Sequence, residues 1–209
     1  MQGHACKSCL NLNMRKVQIF LSKWRVRLGH IFTLVLLFFA QPDAISLIIG
    51  AAIAIIGESI RILSAGYIEK GETLSRSGPY AYTRNPLYLG SFFMYLGFCI
   101  ASRNPYIIAA FFPFFFAVYI PTIILEEEFL SKKFADEFKE YAARVPRFFP
   151  CLICLLSSAH RAPRTAHHFR WDQVMRNREY EGMLGLIVVL IILALEFLFA
   201  FSPYRWIFW

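Results

Sequence analysis

With 209 residues, 57% of them hydrophobic and 17% aromatic, and a formal net charge of +8, the chain is too apolar for an ordinary soluble domain. It has room for about five membrane spans in one compact domain, residues 1–209, and the expected fold class is all-α. The basic surplus reads as membrane topology and contact with anionic lipids; no nucleic acid is expected as a partner, because that would need a soluble basic surface.

Residues 1–27 form a basic segment with Lys7, Arg15, Lys16, Lys23, Arg25 and Arg27. The first apolar run, 28–41, is short for a hydrocarbon core of roughly 30 Å, so it should tilt or extend back through Trp24 with its neighbouring cations snorkelling. A signal peptide is not expected, because the charged region is too long and a second apolar run begins directly after Pro42-Asp43. That run, 44–64, is followed by runs at 86–102, 105–125 and 183–201, the last span. Gln41-Pro42-Asp43 and Arg103-Asn104-Pro105 read as tight turns that make hairpins of spans one and two and of spans three and four. Lys70, Arg76 and Arg84 follow the second span, and most remaining cations lie between Lys132 and Arg178. The positive-inside rule then puts the N-terminus, both long polar segments and the 151–182 connector in the cytoplasm of a multi-pass integral membrane protein.

Residues 68–86 contain Gly71, Gly78, Pro79 and Pro86, so the chain there should fold back as a loop against the helix ends. Pro113 and Pro121 are expected to kink the fourth span. Beyond it, Leu130, Phe134, Phe138 and Tyr141 recur at helical spacing and predict an amphipathic interfacial helix, stopped at Val145-Pro146. There is no internal repeat, which disfavours a transporter built from paired halves.

Two polar clusters bracket the second hairpin. Glu126-Glu127-Glu128 sits where a helix leaves the hydrocarbon; its acids either are solvated interface markers or turn inward to hold a cationic or hydroxyl-rich ligand. Arg84-Asn85-Pro86-Leu87-Tyr88 offers a cation, an amide, a helix-starting proline and a phenol one turn in, beside the unpaired N–H groups of a helix N-terminus. Alone, such a cluster is ordinary membrane anchoring.

Together, Gly78-x-Tyr80, Arg84-Asn85-Pro86-Leu87-Tyr88, Gly90, the hairpin, Glu126-Glu127-x-x-Leu130, Phe134, Phe138, Tyr141, Val145-Pro146 and Pro150 resemble the signature of the isoprenylcysteine carboxyl methyltransferase family over residues 57–150. The resemblance implies an integral membrane methyltransferase that binds S-adenosyl-L-methionine among helices, in a cytoplasmic-side pocket formed by helix ends, a loop segment and the amphipathic helix. No Gly-x-Gly-x-x-Gly follows a strand pattern, consistent with a site outside the Rossmann class. By the same resemblance the cofactor contacts are Glu72, Thr73, Leu74, Ser75, Tyr80, Asn85, Pro86, Leu87, Tyr88, Glu126 and Glu127. Arg84 is the expected catalytic residue, orienting the acceptor's carboxylate. The acceptor should be a lipophilic small molecule or lipid that enters from the bilayer, and membrane lipids are expected partners.

The chain departs from the signature twice. Asn85 stands in place of a histidine and cannot titrate near neutral pH. Thr122 stands where the family has an arginine for the substrate carboxylate, a role left to Arg84 or to Arg61, for which a local ion pair with Glu58 is the plainer reading. A lipid-amine or phospholipid N-methyltransferase and a non-catalytic lipid-binding protein on the same frame are the alternatives. Cys6-x-x-Cys9 and Cys151-x-x-Cys154, with His4, have zinc-site spacing, but the second pair lies in an apolar run and the pairs stand at opposite ends of the domain. Membrane-proximal thiols, open to acylation, are the expected role, and no metal is assigned. Cys99 reads as packing, Glu196 as a lone intramembrane acid, and 111–116 with the terminal Trp206 and Trp209 as mostly lipid-facing aromatics.

Overall fold

The computed structural model describes residues 2–68, 73–150 and 168–199, with side chains from residue 15 onward. Among them the regular structure is helical, with no strand: α1 (Gln2–Phe38), α2 (Ala44–Tyr67), a 3-10 turn (Gly78–Ala81), α3 (Pro86–Ala101), α4 (Pro105–Arg144), α5 (Trp171–Arg176) and α6 (Glu179–Phe199). Helices α2, α4 and α6 are long and apolar enough to cross a membrane, while α3 is apolar but has 16 residues. The run at 28–41 becomes the end of α1, which spans 37 residues, or about 55 Å at the α-helical rise. Glu72, the side chains of Cys6 and Cys9, Cys151, Cys154, Trp206 and Trp209 lie outside the described residues.

Both expected hairpin turns form, and capping explains where their helices start. Asp43 accepts the Ser46 N–H at 2.7 Å while Ser46 Oγ accepts the Asp43 N–H at 3.0 Å, a reciprocal cap. The hydrogen bond from Ser46 holds the Asp43 carboxyl below the ordinary carboxylate range. Asn104 Oδ1 accepts from Tyr106 and Ile107 at the start of α4, and its Nδ2 donates to Phe39 O at 3.0 Å. The Gln41 N–H donates to Ser102 O at 2.8 Å. The two turns are therefore tied together at one end of the bundle, which sends the 3-10 turn, the start of α3 and the latter part of α4 to the other.

The tightest packing is between α2 and α3. Gly50, Ala54 and Gly57 face Gly90, Gly97 and Ala101 so closely that a Cβ on Gly97 would stand 2.5 Å from the Ala54 nitrogen, and one on Gly90 would stand 2.6 Å from Gly57 O. In a membrane, where burial against lipid gains little, such small-residue seams hold helices through backbone contact. A second core is aromatic: Phe92 lies 5.3 Å from Phe111 and 5.2 Å from Phe115, centroid to centroid. Phe111 and Phe115 are fully enclosed at 0% and 1% exposure, whereas Phe112 is 41% exposed. The 111–116 run is thus divided by helical periodicity between core and outer surface, a correction to its reading as mostly lipid-facing.

Helix α4 also differs from expectation. Its helix continues through Pro113 and Pro121 into the amphipathic stretch, and the residue with non-helical dihedrals is Ala135, at φ 26° and ψ −100°. The break lets the last turns fold inward, where Phe138, Tyr141 and Val145 bury with Leu74.

The seam makes a direct prediction. Gly97→Val should cost about 1–3 kcal/mol by overpacking and lower the thermal midpoint of the purified protein in detergent, while Gly185→Ala, which meets nothing within 4 Å inside its helix, should hold or raise it.

Candidate functional site

The loop ahead of α3 is held by the end of α4 and the turn beyond it. The Arg84 N–H donates to Pro146 O at 2.9 Å, Thr83 Oγ1 donates to Phe148 O at 2.7 Å, and Tyr141 Oη donates to Tyr80 O at 2.7 Å. On the α2 side Ser75 Oγ donates to Tyr67 O at 3.0 Å, and Gly78, at φ +60°, takes a conformation that favours glycine. These bonds fix Thr73, Leu74, Ser75 and Tyr80 against the ends of three helices.

Glu127 is the anchor of this arrangement. Its carboxylate accepts from Asn85 Nδ2 at 3.1 Å and from Arg147 Nε at 3.0 Å, and Arg84 Nη1 lies 3.4 Å away. Asn85 Nδ2 also donates to Arg147 O at 2.9 Å. With its amide engaged there, Asn85 occupies the N-cap of α3 without a side-chain cap bond, and Pro86 starts the helix.

In front of this anchor is a cavity of about 430 Å³ lined by Arg25, Val26, Arg61, Ile68, Thr73, Leu74, Ser75, Tyr80, Arg84, Leu87, Tyr88, Ser91, Tyr119, Glu126, Phe129, Leu130, Tyr141 and Glu179. Tyr88 Oη donates to Glu126 Oε1 at 2.6 Å, and Arg25 of α1 reaches the same oxygen at 3.3 Å. Tyr88 meets Tyr119 edge-on at 5.7 Å, and Tyr119 stacks on Phe115 at 4.3 Å. Burial pushes the Tyr80 phenol well above its ordinary value, and among the described residues its hydroxyl has no hydrogen-bond partner. The phenol is therefore a neutral donor buried in the cavity wall.

Of the residues singled out in the sequence, Thr73, Leu74, Ser75, Tyr80, Leu87, Tyr88, Glu126 and Arg84 come together on this wall. Asn85, Pro86 and Glu127 lie behind it. Thr122 is fully buried, with its hydroxyl donated back to Val118 O at 3.2 Å, and it is not among the lining residues. The expected Arg61–Glu58 pair forms at 3.2 Å, but Arg61 also donates to Glu179 at 2.6 Å and faces the cavity. Sequence reasoning missed Arg25, Ser91, Tyr119 and Glu179. Glu179 opens α6, four positions before the expected start of the last span, and a carboxylate at the head of an apolar run was its one visible signal. Nothing local ties Arg25 to a partner 101 residues away.

Helices apolar and long enough to cross a membrane, with a polar, phenol-lined cavity at one end, are the architecture of a membrane protein. Residues 45–137 match the family model described as Phospholipid methyltransferase. The match supports a membrane methyltransferase in general terms and includes every described lining residue from Arg61 to Leu130. The Cobalt-zinc-cadmium resistance protein CzcN of Cupriavidus metallidurans is 37% identical over 106 residues, 50% of this chain and 47% of that protein. The Nickel-cobalt-cadmium resistance protein NccN of Alcaligenes xylosoxydans xylosoxydans is 35% identical over 113 residues, 53% of this chain and 51% of that protein. The chain thus spans about half the length of the curated relatives it matches. No solved structure matches it significantly. Among the described residues no group of three or more His, Cys, Asp or Glu is placed to hold a metal ion.

The adjacent glutamates should separate in a stability measurement. Glu127→Ala strands Arg84 and Asn85 in the interior and should cost about 3–5 kcal/mol. Glu126→Ala, at a side chain 49% exposed, should cost less than about 1 kcal/mol. Thermal unfolding of both variants in one detergent reads the difference.

Proposed function

We propose that this chain is an integral, multi-pass membrane methyltransferase that uses S-adenosyl-L-methionine and acts on a lipophilic acceptor. The observation that carries the reading is the convergence of Thr73, Leu74, Ser75, Tyr80, Arg84, Leu87, Tyr88 and Glu126, from three separated stretches, on one cavity. The cavity also fits the cofactor chemically. Thr73, Ser75, Tyr88 and Glu126 offer polar groups, and Leu74, Leu87, Phe129 and Leu130 supply apolar surface.

In this reading Tyr80, Tyr88, Glu126 and the 73–75 segment hold the cofactor, whose bound form supplies an electrophilic methyl group. Glu127 and Asn85 act from behind, by fixing the turn that carries Arg84, Leu87 and Tyr88. Arg84 orients the acceptor. A carboxylate acceptor, as for isoprenylcysteine carboxyl methyltransferases, needs alignment and water exclusion but no base. This agrees with Asn85 in the histidine position and with a neutral Tyr80. An amine acceptor is the second reading, favoured by the Phospholipid methyltransferase match and by the acidic excess around Arg61. The five-span count and a cytoplasmic N-terminus belong to the proposal, with the positive-inside charge distribution as support.

Titration calorimetry of the purified chain is the test. S-adenosyl-L-methionine should bind the wild type, Glu126→Gln should weaken binding at least tenfold without shifting the thermal midpoint, and Arg84→Ala should retain binding. An absence of binding at millimolar ligand removes the proposal. Methyl-labelled cofactor incubated with a lipid extract should place label in the apolar fraction, and Arg84→Ala should abolish that transfer if the acceptor is a carboxylate.

A further inference from the structure

At the wall where α2 meets α6, two carboxylates share one guanidinium. Arg61 Nε lies 3.2 Å from Glu58 Oε2, and its Nη2 donates to Glu179 Oε2 at 2.6 Å. The remaining Nη1 donates to Ser91 Oγ at 2.5 Å. The acid side chains are 4% and 8% exposed, and neither oxygen of Glu58 has a hydrogen-bond partner of acceptable geometry. Gly182 of α6 covers Glu58, since a Cβ there would stand 3.1 Å from Glu58 Oε1.

With both acids ionised, this group carries one more negative charge than positive. Among the described residues the other cavity charges are engaged elsewhere, Arg25 with Glu126 and both Arg84 and Arg147 with Glu127, and no ion pair joins them to Glu58 or Glu179. The N-terminus of α6 contributes about half a positive charge, which reduces the surplus without cancelling it. Glu179 lines the cavity and Glu58 stands behind it. Glu58 therefore draws on Arg61 from the rear and leaves Glu179 undercompensated toward the cavity. Tyr80 of the same cavity wall is itself 6% exposed, and among the described residues its hydroxyl has no hydrogen-bond partner, a second sign of polar capacity kept for a ligand.

We propose that Glu179, backed by Glu58, is an onium subsite, taking a fixed positive charge carried on an otherwise apolar group. The assignment rests on the methyltransferase reading, which offers two sources of that charge: the sulfonium of the methyl donor or the ammonium of a lipid acceptor. A buried surplus carboxylate favours either over its uncharged counterpart, because the unpaired anion is costly in a poorly hydrated wall. For the donor, the consequence is selection of the charged sulfonium over the demethylated, neutral thioether. Glu58 is a positioning residue here, and Glu179 makes the contact.

The experiment is binding to the full-length chain in nanodiscs, with the thermal midpoint as a check on folding. S-adenosylmethionine should bind the wild type about tenfold more tightly than S-adenosylhomocysteine. Glu179→Gln and Glu58→Gln should each cut that preference below about threefold with S-adenosylhomocysteine affinity unchanged, which assigns the subsite to the sulfonium. Glu58→Gln, which does not touch the cavity, carries the measurement if Glu179→Gln fails to fold. If the preference persists in both variants but a midpoint rise produced by phosphatidylethanolamine in the nanodisc is lost, the subsite belongs to an acceptor ammonium. Variants that change neither reading overturn the subsite. A wild type that binds neither nucleoside overturns the methyltransferase reading instead, and a phosphatidylethanolamine effect lost in Glu179→Gln would still sustain the subsite.

Discussion

A carboxylate buried in a membrane helix has to find compensating charge, and Glu127 finds it in two other segments. Asn85 and Arg84 reach it from the start of α3, and Arg147 reaches it from the turn after α4. Because desolvation makes an unpaired buried charge expensive, satisfying Glu127 is close to a condition for the segments to meet. The loop that carries Tyr80 closes over the same junction through Pro146, Phe148 and Tyr141. The cavity is what lies in front of a charge that had to be neutralised from behind.

The other determinant is steric. Glycines at 50, 57, 90 and 97 remove side chains from the α2–α3 seam, so Ser91 of α3 comes within reach of Arg61 of α2. The large rings go to the other side of α3, where Phe92, Phe111 and Phe115 interlock. Close packing on one face and bulky packing on the other hold α3 in place, which is what a site built on its first turn requires.

Charge around the cavity is distributed unevenly. Glu126 is matched by Arg25, Glu127 has two arginines, and Arg61 has two glutamates. These compartments differ in what they would attract: an acidic group toward Arg84 and a cationic one toward Glu179. A ligand with both kinds of charge has a preferred direction in such a site before any specific contact is counted.

Much of this was readable from the chain alone. Apolar runs and turn residues located α2, α3, α6 and the two tight turns, though not the extents of α1 and α4, because the spacing of turn residues and the hydrophobic run are local properties. Of the residues that the resemblance singled out, Thr73, Leu74, Ser75, Tyr80, Arg84, Leu87, Tyr88 and Glu126 line one cavity, while Asn85, Pro86 and Glu127 do not. The seven-residue glycine spacings, 50 to 57 and 90 to 97, were also visible, but their meaning depended on knowing that the two helices face each other. Tertiary structure alone decided which of two adjacent glutamates faces the cavity, since neighbouring positions on a helix point about 100° apart and only the surrounding bundle says which direction is inside. It alone brought Arg25 to Glu126 and Glu179 to Arg61, pairs separated by 101 and 118 residues. A sequence fixes the charge each residue carries, and which opposite charge answers it depends on the path of the chain between them.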